Sequence, residues 1–203
     1  MINQLIYHNS NKILVGTVEK AGSSTVIATM GYPVLGNFLD RGDRADLIRR
    51  EVWKEIHYKH ADWAEFPIRI AIIRDPVERL ISCYRDKVLL KNVEKIKDKF
   101  KTFSSFVNNL DHIRNTSREL YTHSNSLVGV LGPASNYTKI IKLENLSTEF
   151  VPLVKQISGN KDVPDIRINI NREIKDILPT NENIKKIKEY YKDDYKEYGE
   201  YFT

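Results

Sequence analysis

Short apolar runs of strand length recur along the chain and are separated by polar segments. The clearest runs cover residues 13–18, 68–73 and 138–143. The middle run is almost continuously apolar, which is typical of a central parallel strand that is covered on both faces. The pattern therefore predicts three strands of one sheet.

Helical patterns fill most of the remaining chain. The sharpest start signal is Asp75 followed by Pro76, an N-cap and a first helical residue, so a helix is predicted from there to about residue 90. Apolar residues at every fourth position predict a second helix over residues 44–57. The other predicted helices cover residues 26–30, 102–131 with an interruption at 121–126, 147–159 with Ser147 as cap, and 182–198, and a turn-rich connector is predicted at 31–36.

Strands that alternate with helices are typical of the α/β class. A chain of 203 residues is long enough for one such domain and short for two. We therefore predict a single domain over residues 1–203, with a central, mostly parallel sheet flanked by helices in three layers.

Charge and composition limit the classes of partner and the cellular location that can be predicted for this chain. The net charge is +5, but 32 basic residues are interleaved with 27 acidic ones, and the densest basic segment, 91–101, is punctuated by acidic residues. This pattern favours a solvated face, so no nucleic-acid partner is predicted. No apolar stretch is long enough for a membrane span and the N-terminus does not resemble a signal peptide. The single cysteine, Cys83, excludes an internal disulfide and a cysteine-based zinc site, and together these features favour a cytoplasmic protein without a metal.

The first strand runs into a loop of small and polar residues that opens a helix. Backbone N–H groups of such a loop, hydroxyl groups and a lysine are all donors to a phosphate or sulfate ester. Because the lysine precedes the only glycine of the loop, the spacing is not that of the Walker motif of kinases and GTPases. An ordinary strand-to-helix turn with a solvated lysine is the alternative. The candidate binding residues are Lys20, Ala21, Gly22, Ser23, Ser24 and Thr25.

A second strand-to-helix junction follows residues 68–73 and should lie at the same edge of the sheet. Arg74 ends that strand and Ser82 follows eight residues later, so both are candidates for anion binding. Arg74 could instead be a structural partner of Glu78 or Glu144, and Ser82 could bond back to the helix backbone. We interpret Arg79 and Cys83 as structural residues.

Residues 20–25, Lys-Ala-Gly-Ser-Ser-Thr, and 74–82, Arg-Asp-Pro-Val-Glu-Arg-Leu-Ile-Ser, resemble the two nucleotide motifs of sulfotransferases that use 3′-phosphoadenosine-5′-phosphosulfate (PAPS). The carbohydrate branch, of heparan and chondroitin type, is the most similar. Residues 141–146 and the tyrosine-rich stretch 190–198 also resemble segments of that family. The resemblance implies a P-loop-like fold, a loop at Lys20 for the 5′-phosphosulfate, and Arg74 and Ser82 for the 3′-phosphate.

The chain also departs from that family. Glu19 stands where many members carry a proline before the loop lysine, and we expect its side chain to point away from the anion. The N-terminal anchor of Golgi members is missing, which implies a soluble microbial or viral type of enzyme. The known acceptors of Golgi enzymes are therefore not carried over.

The implied reaction moves a sulfuryl group from PAPS to an acceptor hydroxyl of a glycan, glycolipid or small molecule, and adenosine 3′,5′-bisphosphate leaves. Lys20 would neutralise the bridging oxygen, and no metal is expected. A histidine suits the base, because its pKa lies near neutrality. His60 and His57 are the first candidates, because both precede the strand that delivers Arg74 and related sulfotransferases place a base in this part of the chain. Lys59-His60 resembles a lysine-histidine pair of some soluble members, so we rank His60 above His57; Glu55 and His123 follow. The alternative for each histidine is a surface or capping role.

Two other functions remain open at this point. One is a small-molecule kinase of P-loop type, and the other is a non-catalytic protein that binds adenosine bisphosphate. Arg167 and Arg172 are further candidates for contact with the nucleotide or the acceptor.

Overall fold

The computed structural model describes residues 5–8, 12–35, 54–56, 58–165 and 177–202. Within these residues, strands β1 to β5 form one sheet in the order β3-β1-β2-β4-β5. β2 and β4, and β4 and β5, pair in parallel, whereas β1 is antiparallel to β2 and β3. The prediction of a mostly parallel sheet is confirmed. The strands are β1 (Leu5–His8), β2 (Ile13–Thr17), β3 (Lys54–Ile56), β4 (Ile68–Ile73) and β5 (Lys139–Lys142).

Helices follow β2, β4 and β5 and form most of the rest of the described chain. Two π-helical segments, Tyr84–Leu90 and Leu146–Phe150, continue or precede α-helices. The α-helices are α1 (Ser23–Leu35), α2 (Pro76–Cys83), α3 (Phe103–Asn108), α4 (Leu110–Thr116), α5 (Arg118–His123), α6 (Leu127–Leu131), α7 (Val151–Ser158), α8 (Asn181–Tyr190) and α9 (Lys192–Tyr198).

The central strands are covered on both faces, as their apolar sequence predicted. Ile70 and Ile72 of β4 pack with α1 and α7, whereas Ala71 and Ile73 pack with α6 and α9. A third cluster lies among α2, the π-helical segment 84–90, α3 to α5 and α8. Burial of Cys83 in that cluster fits its interpretation as a core residue.

Register brings the strand ends together at one edge of the sheet. Thr17, the last residue of β2, lies opposite Ile72, and Ile73 at the end of β4 lies opposite Lys142 of β5. Because the three strands are parallel, their carboxyl ends and the loops that follow share this edge. The two candidate motifs are therefore neighbours in space.

Several boundaries differ from the sequence prediction. The end of the predicted 44–57 helix is strand β3, because its backbone pairs with β1 from Leu5 to Tyr7; residues 44–53 and His57 lie outside the described part. Helix α1 continues through Pro33 to Leu35, where a connector was predicted. Ser147 does not cap a helix, because it lies inside the π-helical segment Leu146–Phe150, which leads directly into α7.

Candidate active site

The loop between β2 and α1 is held in a tight conformation by its own backbone. Ala21 N donates to Val18 O at 3.1 Å, and Val26 N donates to Gly22 O at 2.9 Å. Gly22 has φ +82°, and a Cβ there would lie 2.5 Å from Leu143 Cδ1, so the position requires glycine. We call residues 19–25 the anion cradle. Its hydroxyl groups stand at the N-terminus of α1, where a helix favours negative charge.

Arg74 joins the second junction to the anion cradle. Its guanidinium contacts the carbonyl oxygen of Lys20 at 3.5 Å and Glu78 Oε2 at 3.3 Å. Glu78 is 53% exposed, so this ion pair is weak, as surface pairs usually are. Arg74 Nε is buried without a hydrogen-bond partner among the described residues. Arg74 therefore has donor capacity left for an anion beside the cradle.

Helix α2 begins as predicted and carries Ser82 on its last turn. Asp75 caps it by accepting a 2.7 Å hydrogen bond from Val77 N, and Pro76 occupies the first helical position. Ser82 is half-buried. The pattern that predicted this junction from sequence therefore has the expected local geometry.

Lys20 is paired with a carboxylate that the sequence analysis did not single out. Its Nζ donates to Asp86 Oδ2 at 2.6 Å, and the two side chains are only 14% and 19% exposed. Lys91 and Lys87 lie 3.3 and 3.6 Å from the same carboxylate. Burial raises the pKa of Asp86, but the hydrogen bond from Lys20 and the three positive charges outweigh it and lower the pKa to about 2. Asp86 stands four residues after Ser82, a helical spacing that could have indicated it.

Arg79 fixes the cradle to the end of α5. This buried side chain donates from Nε to Glu19 O at 3.3 Å and from Nη2 to Asn125 O at 2.8 Å. Burial lowers its pKa, while charges such as Asp194 raise it. These contacts fit the structural role predicted for Arg79.

Glu19 and His123 meet at the side of the cradle. Glu19 Oε2 accepts from the Ser23 hydroxyl at 3.3 Å and lies 3.8 Å from His123 Nε2. The expectation that the Glu19 side chain points away from the cradle is wrong, because its carboxylate accepts a hydrogen bond from the hydroxyl of Ser23 inside the cradle. Burial lowers the pKa of His123; the Glu119 carbonyl and Glu19 raise it, and Lys87 and Lys20 lower it.

Of the two histidines predicted as bases, His60 lies in the described part of the chain. His60 is exposed in a short 3₁₀ turn, Tyr58–His60, and the Tyr58 ring packs against Gly132. Trp63, three residues later, makes an edge contact with Tyr137 ahead of β5, at 5.5 Å between centroids. Tyr58 and Trp63, on either side of His60 in sequence, thus contact the connection between α6 and β5. His57, Arg167 and Arg172 lie outside the described residues.

The described residues contain neither a metal-binding cluster nor a membrane-spanning helix. No group of three or more His, Cys, Asp or Glu side chains could hold a metal ion there. In the same part of the chain, no helix has the length and apolar character of a membrane span.

A phosphate-type cradle thus lies at the strand ends of a mostly parallel sheet, with Arg74 beside it. The model of the sulfotransferase family matches residues 3–201. The chain belongs to the sulfotransferase family. Its α/β architecture agrees with the P-loop-like fold of such enzymes, and its general activity is sulfuryl transfer. No curated protein and no solved structure matches this sulfotransferase significantly.

Proposed function

We propose that this sulfotransferase moves a sulfuryl group from PAPS to the hydroxyl of a glycan or glycolipid. The observation that carries the proposal is the contact of the Arg74 guanidinium with the carbonyl oxygen of Lys20. This contact joins the loops that follow two neighbouring parallel strands, next to the start of α1. An adenosine nucleotide with phosphates at both the 5′ and 3′ positions needs two such anion sites.

The residues of the cradle fit that donor. Ser23, Ser24, Thr25 and the first N–H groups of α1 would hold the 5′-phosphate, together with the backbone of Ala21 and Gly22. Arg74, whose Nε is buried without a partner among the described residues, and Ser82 would hold the 3′-phosphate. The donor supplies the sulfuryl group and a phosphate as leaving group.

Lys20 is the proposed catalytic cation. Its ammonium stands at the cradle, where it would stabilise negative charge on the leaving oxygen. During the reaction, the ammonium of Lys20 must either leave Asp86 to bind that oxygen or donate hydrogen bonds to both. Because a sulfuryl group carries less charge than a phosphoryl group, these donors can act without a divalent metal.

A histidine would accept the proton of the attacking hydroxyl. His60 and His57 are the first candidates from the sequence, and His123, which the sequence ranked behind them, lies beside Glu19 of the cradle. The pH dependence of transfer by His57→Ala and His60→Ala variants tests the first two. Loss of the rise in rate with pH in one variant, with nucleotide affinity kept, would identify it.

Calorimetric titration with adenosine 3′,5′-bisphosphate and with ATP and magnesium tests the donor. We expect the bisphosphate to bind more tightly, without magnesium. Transfer of ³⁵S from labelled PAPS should then be measured on desulfated polysaccharides, glycolipids and phenols, and we expect a labelled glycan or glycolipid. Tighter, magnesium-dependent ATP binding would favour a kinase, whereas bisphosphate binding without transfer would favour a non-catalytic protein.

A further inference from the structure

His123 is fixed by a hydrogen bond that determines which ring nitrogen is free. Its Nδ1 lies 2.8 Å from the carbonyl oxygen of Glu119, one turn earlier in α5. Because a carbonyl oxygen only accepts, Nδ1 carries the hydrogen. In the neutral ring, Nε2 is therefore the nitrogen with a lone pair, and it is the nitrogen that faces Glu19.

Nε2 of His123 and the carboxylate of Glu19 present two neighbouring acceptors to a hydroxyl group. The 3.8 Å between Nε2 and Oε2 is too long for a hydrogen bond, and both atoms are acceptors when the ring is neutral. A hydroxyl that approaches them can donate its hydrogen to Nε2. The imidazolium that forms would then face a carboxylate, which stabilises it.

The position of this pair relative to the cradle is fixed by several contacts. Glu19 is the peptide neighbour of Lys20 and accepts a hydrogen bond from Ser23, the first residue of α1. Arg79 binds the carbonyl oxygens of Glu19 and Asn125, and so ties the end of α5 to the loop. The His123 side chain is 15% exposed, so it is enclosed yet reachable.

The charges that face the ring favour its neutral form at neutral pH. Lys20 from the loop and Lys87 from the π-helical segment oppose protonation, as does burial. Glu19 and the Glu119 carbonyl favour protonation; the Glu119 carboxylate is paired with Lys87 at 2.5 Å. A neutral imidazole beside a carboxylate has the protonation state that a general base needs.

We infer that His123, faced by Glu19, is the catalytic proton acceptor of the transfer, and this inference rests on the proposed function. In the step, the O–H bond of the acceptor breaks and its oxygen forms a bond to sulfur. The bond from sulfur to the phosphate oxygen of the donor breaks, and that oxygen keeps the electron pair beside Lys20. The proton goes to Nε2 of His123 and later leaves to solvent.

A first experiment follows the histidine rings of the whole protein by NMR during pH titration, with and without saturating adenosine 3′,5′-bisphosphate. Bound phosphate adds negative charge beside the ring, so we expect it to raise the pKa of His123. The ring signals of His112, an exposed residue of α4, are the control and should not respond to the nucleotide. A His123 pKa that bound nucleotide does not move overturns the inference. Failure of the nucleotide to bind overturns the proposed function itself, and the inference with it.

A second experiment measures single-turnover ³⁵S transfer from PAPS to desulfated chondroitin over pH 5 to 9. We expect His123→Ala and His123→Gln to lose about a hundredfold or more in rate, together with the rise in rate with pH, at unchanged bisphosphate affinity. Added imidazole should partly rescue His123→Ala but not His123→Gln, in which the cavity is filled. Glu19→Gln should move the rise to lower pH, because the carboxylate raises the pKa of the ring.

The matched control is His112→Ala, which should keep the wild-type rate and pH profile. Normal transfer by His123→Gln, or loss of the pH-dependent rise in His57→Ala or His60→Ala instead, overturns the inference while the proposed function stands. If the wild-type protein binds the bisphosphate but does not sulfate this glycan, the NMR titration tests the inference: a raised pKa of His123 supports it, and an unmoved pKa overturns it.

Discussion

Two sides of the site are held by different forces. We call the cradle, residues 19–25, with Arg74 the strand-end side, and Asp86, Lys87 and Glu119 the helical side. On the strand-end side, backbone conformation positions the cradle, and Gly22 admits no side chain. On the helical side, charge holds the segments together: Lys20 pairs with Asp86, 66 residues later, and Lys87 pairs with Glu119, 32 residues later. Backbone geometry is set by local sequence, whereas the charge network exists only once the helices have packed.

The largest effect should come from the residue that belongs to both sides. Lys20→Ala is expected to lower turnover by about a hundredfold to a thousandfold, the range for one preorganised electrostatic group in a transition state. Circular dichroism and thermal unfolding should show a folded protein. Lys192→Ala, a change at a 70% exposed lysine of α9, is the control and should be silent. Near-normal turnover by Lys20→Ala would remove this residue from the chemistry.

A substitution at Gly22 tests the strand-end side, because it disturbs the backbone conformation of the cradle. Gly22→Ala should lower the free energy of unfolding by about 2 kcal/mol, because the new residue must adopt φ +82° and displace Leu143. Gly159 also has a positive φ, +69°, but has open space around its Cβ position. Gly159→Ala should therefore cost only about 1 kcal/mol. Equal losses in urea unfolding would show that contact with Leu143 does not constrain the cradle.

Variants of Arg74 and Ser82 test the strand-end side through their affinities for two nucleotides, one with a 3′-phosphate and one without. Arg74→Ala should weaken binding of adenosine 3′,5′-bisphosphate about tenfold to a hundredfold, the scale of a charge-assisted hydrogen bond. Ser82→Ala should weaken it severalfold. Neither change should affect adenosine 5′-phosphosulfate as much, since that ligand has no 3′-phosphate.

Calorimetry with both ligands measures these differences, and Arg118→Ala, at an exposed arginine of α5, is the control. Equal losses for both ligands would mean that Arg74 and Ser82 maintain the fold rather than bind that phosphate.

The difference between the two sides also explains what the sequence could predict. Residues 13–25 and 68–83 form local signals, an apolar strand followed by a loop or a cap, and these gave the sheet, the cradle and α2. Lys54–Ile56 was wrongly assigned to a helix because its strand depends on pairing with β1, some fifty residues earlier. The contacts of Glu19 with His123 and of Lys20 with Asp86 likewise join segments that are distant in sequence. No local sequence pattern predicts such contacts.

Asp86 gives the smallest effect and probes the helical side through pH. Its pKa is lowered from 3.8 to about 2, so the folded state favours the ionised form. This contribution to stability is present above the unfolded pKa and is lost as the pH falls towards the folded one.

Asp86→Asn should therefore destabilise the protein by about 1 to 2 kcal/mol at pH 7, where three lysines lose their shared partner. The difference from wild type in urea unfolding should shrink between about pH 4 and pH 2. The same variant should bind adenosine 3′,5′-bisphosphate at least as tightly as wild type, because Lys20 no longer has a competing carboxylate. A pH-independent difference would show that packing, rather than charge, holds the helical side against the cradle.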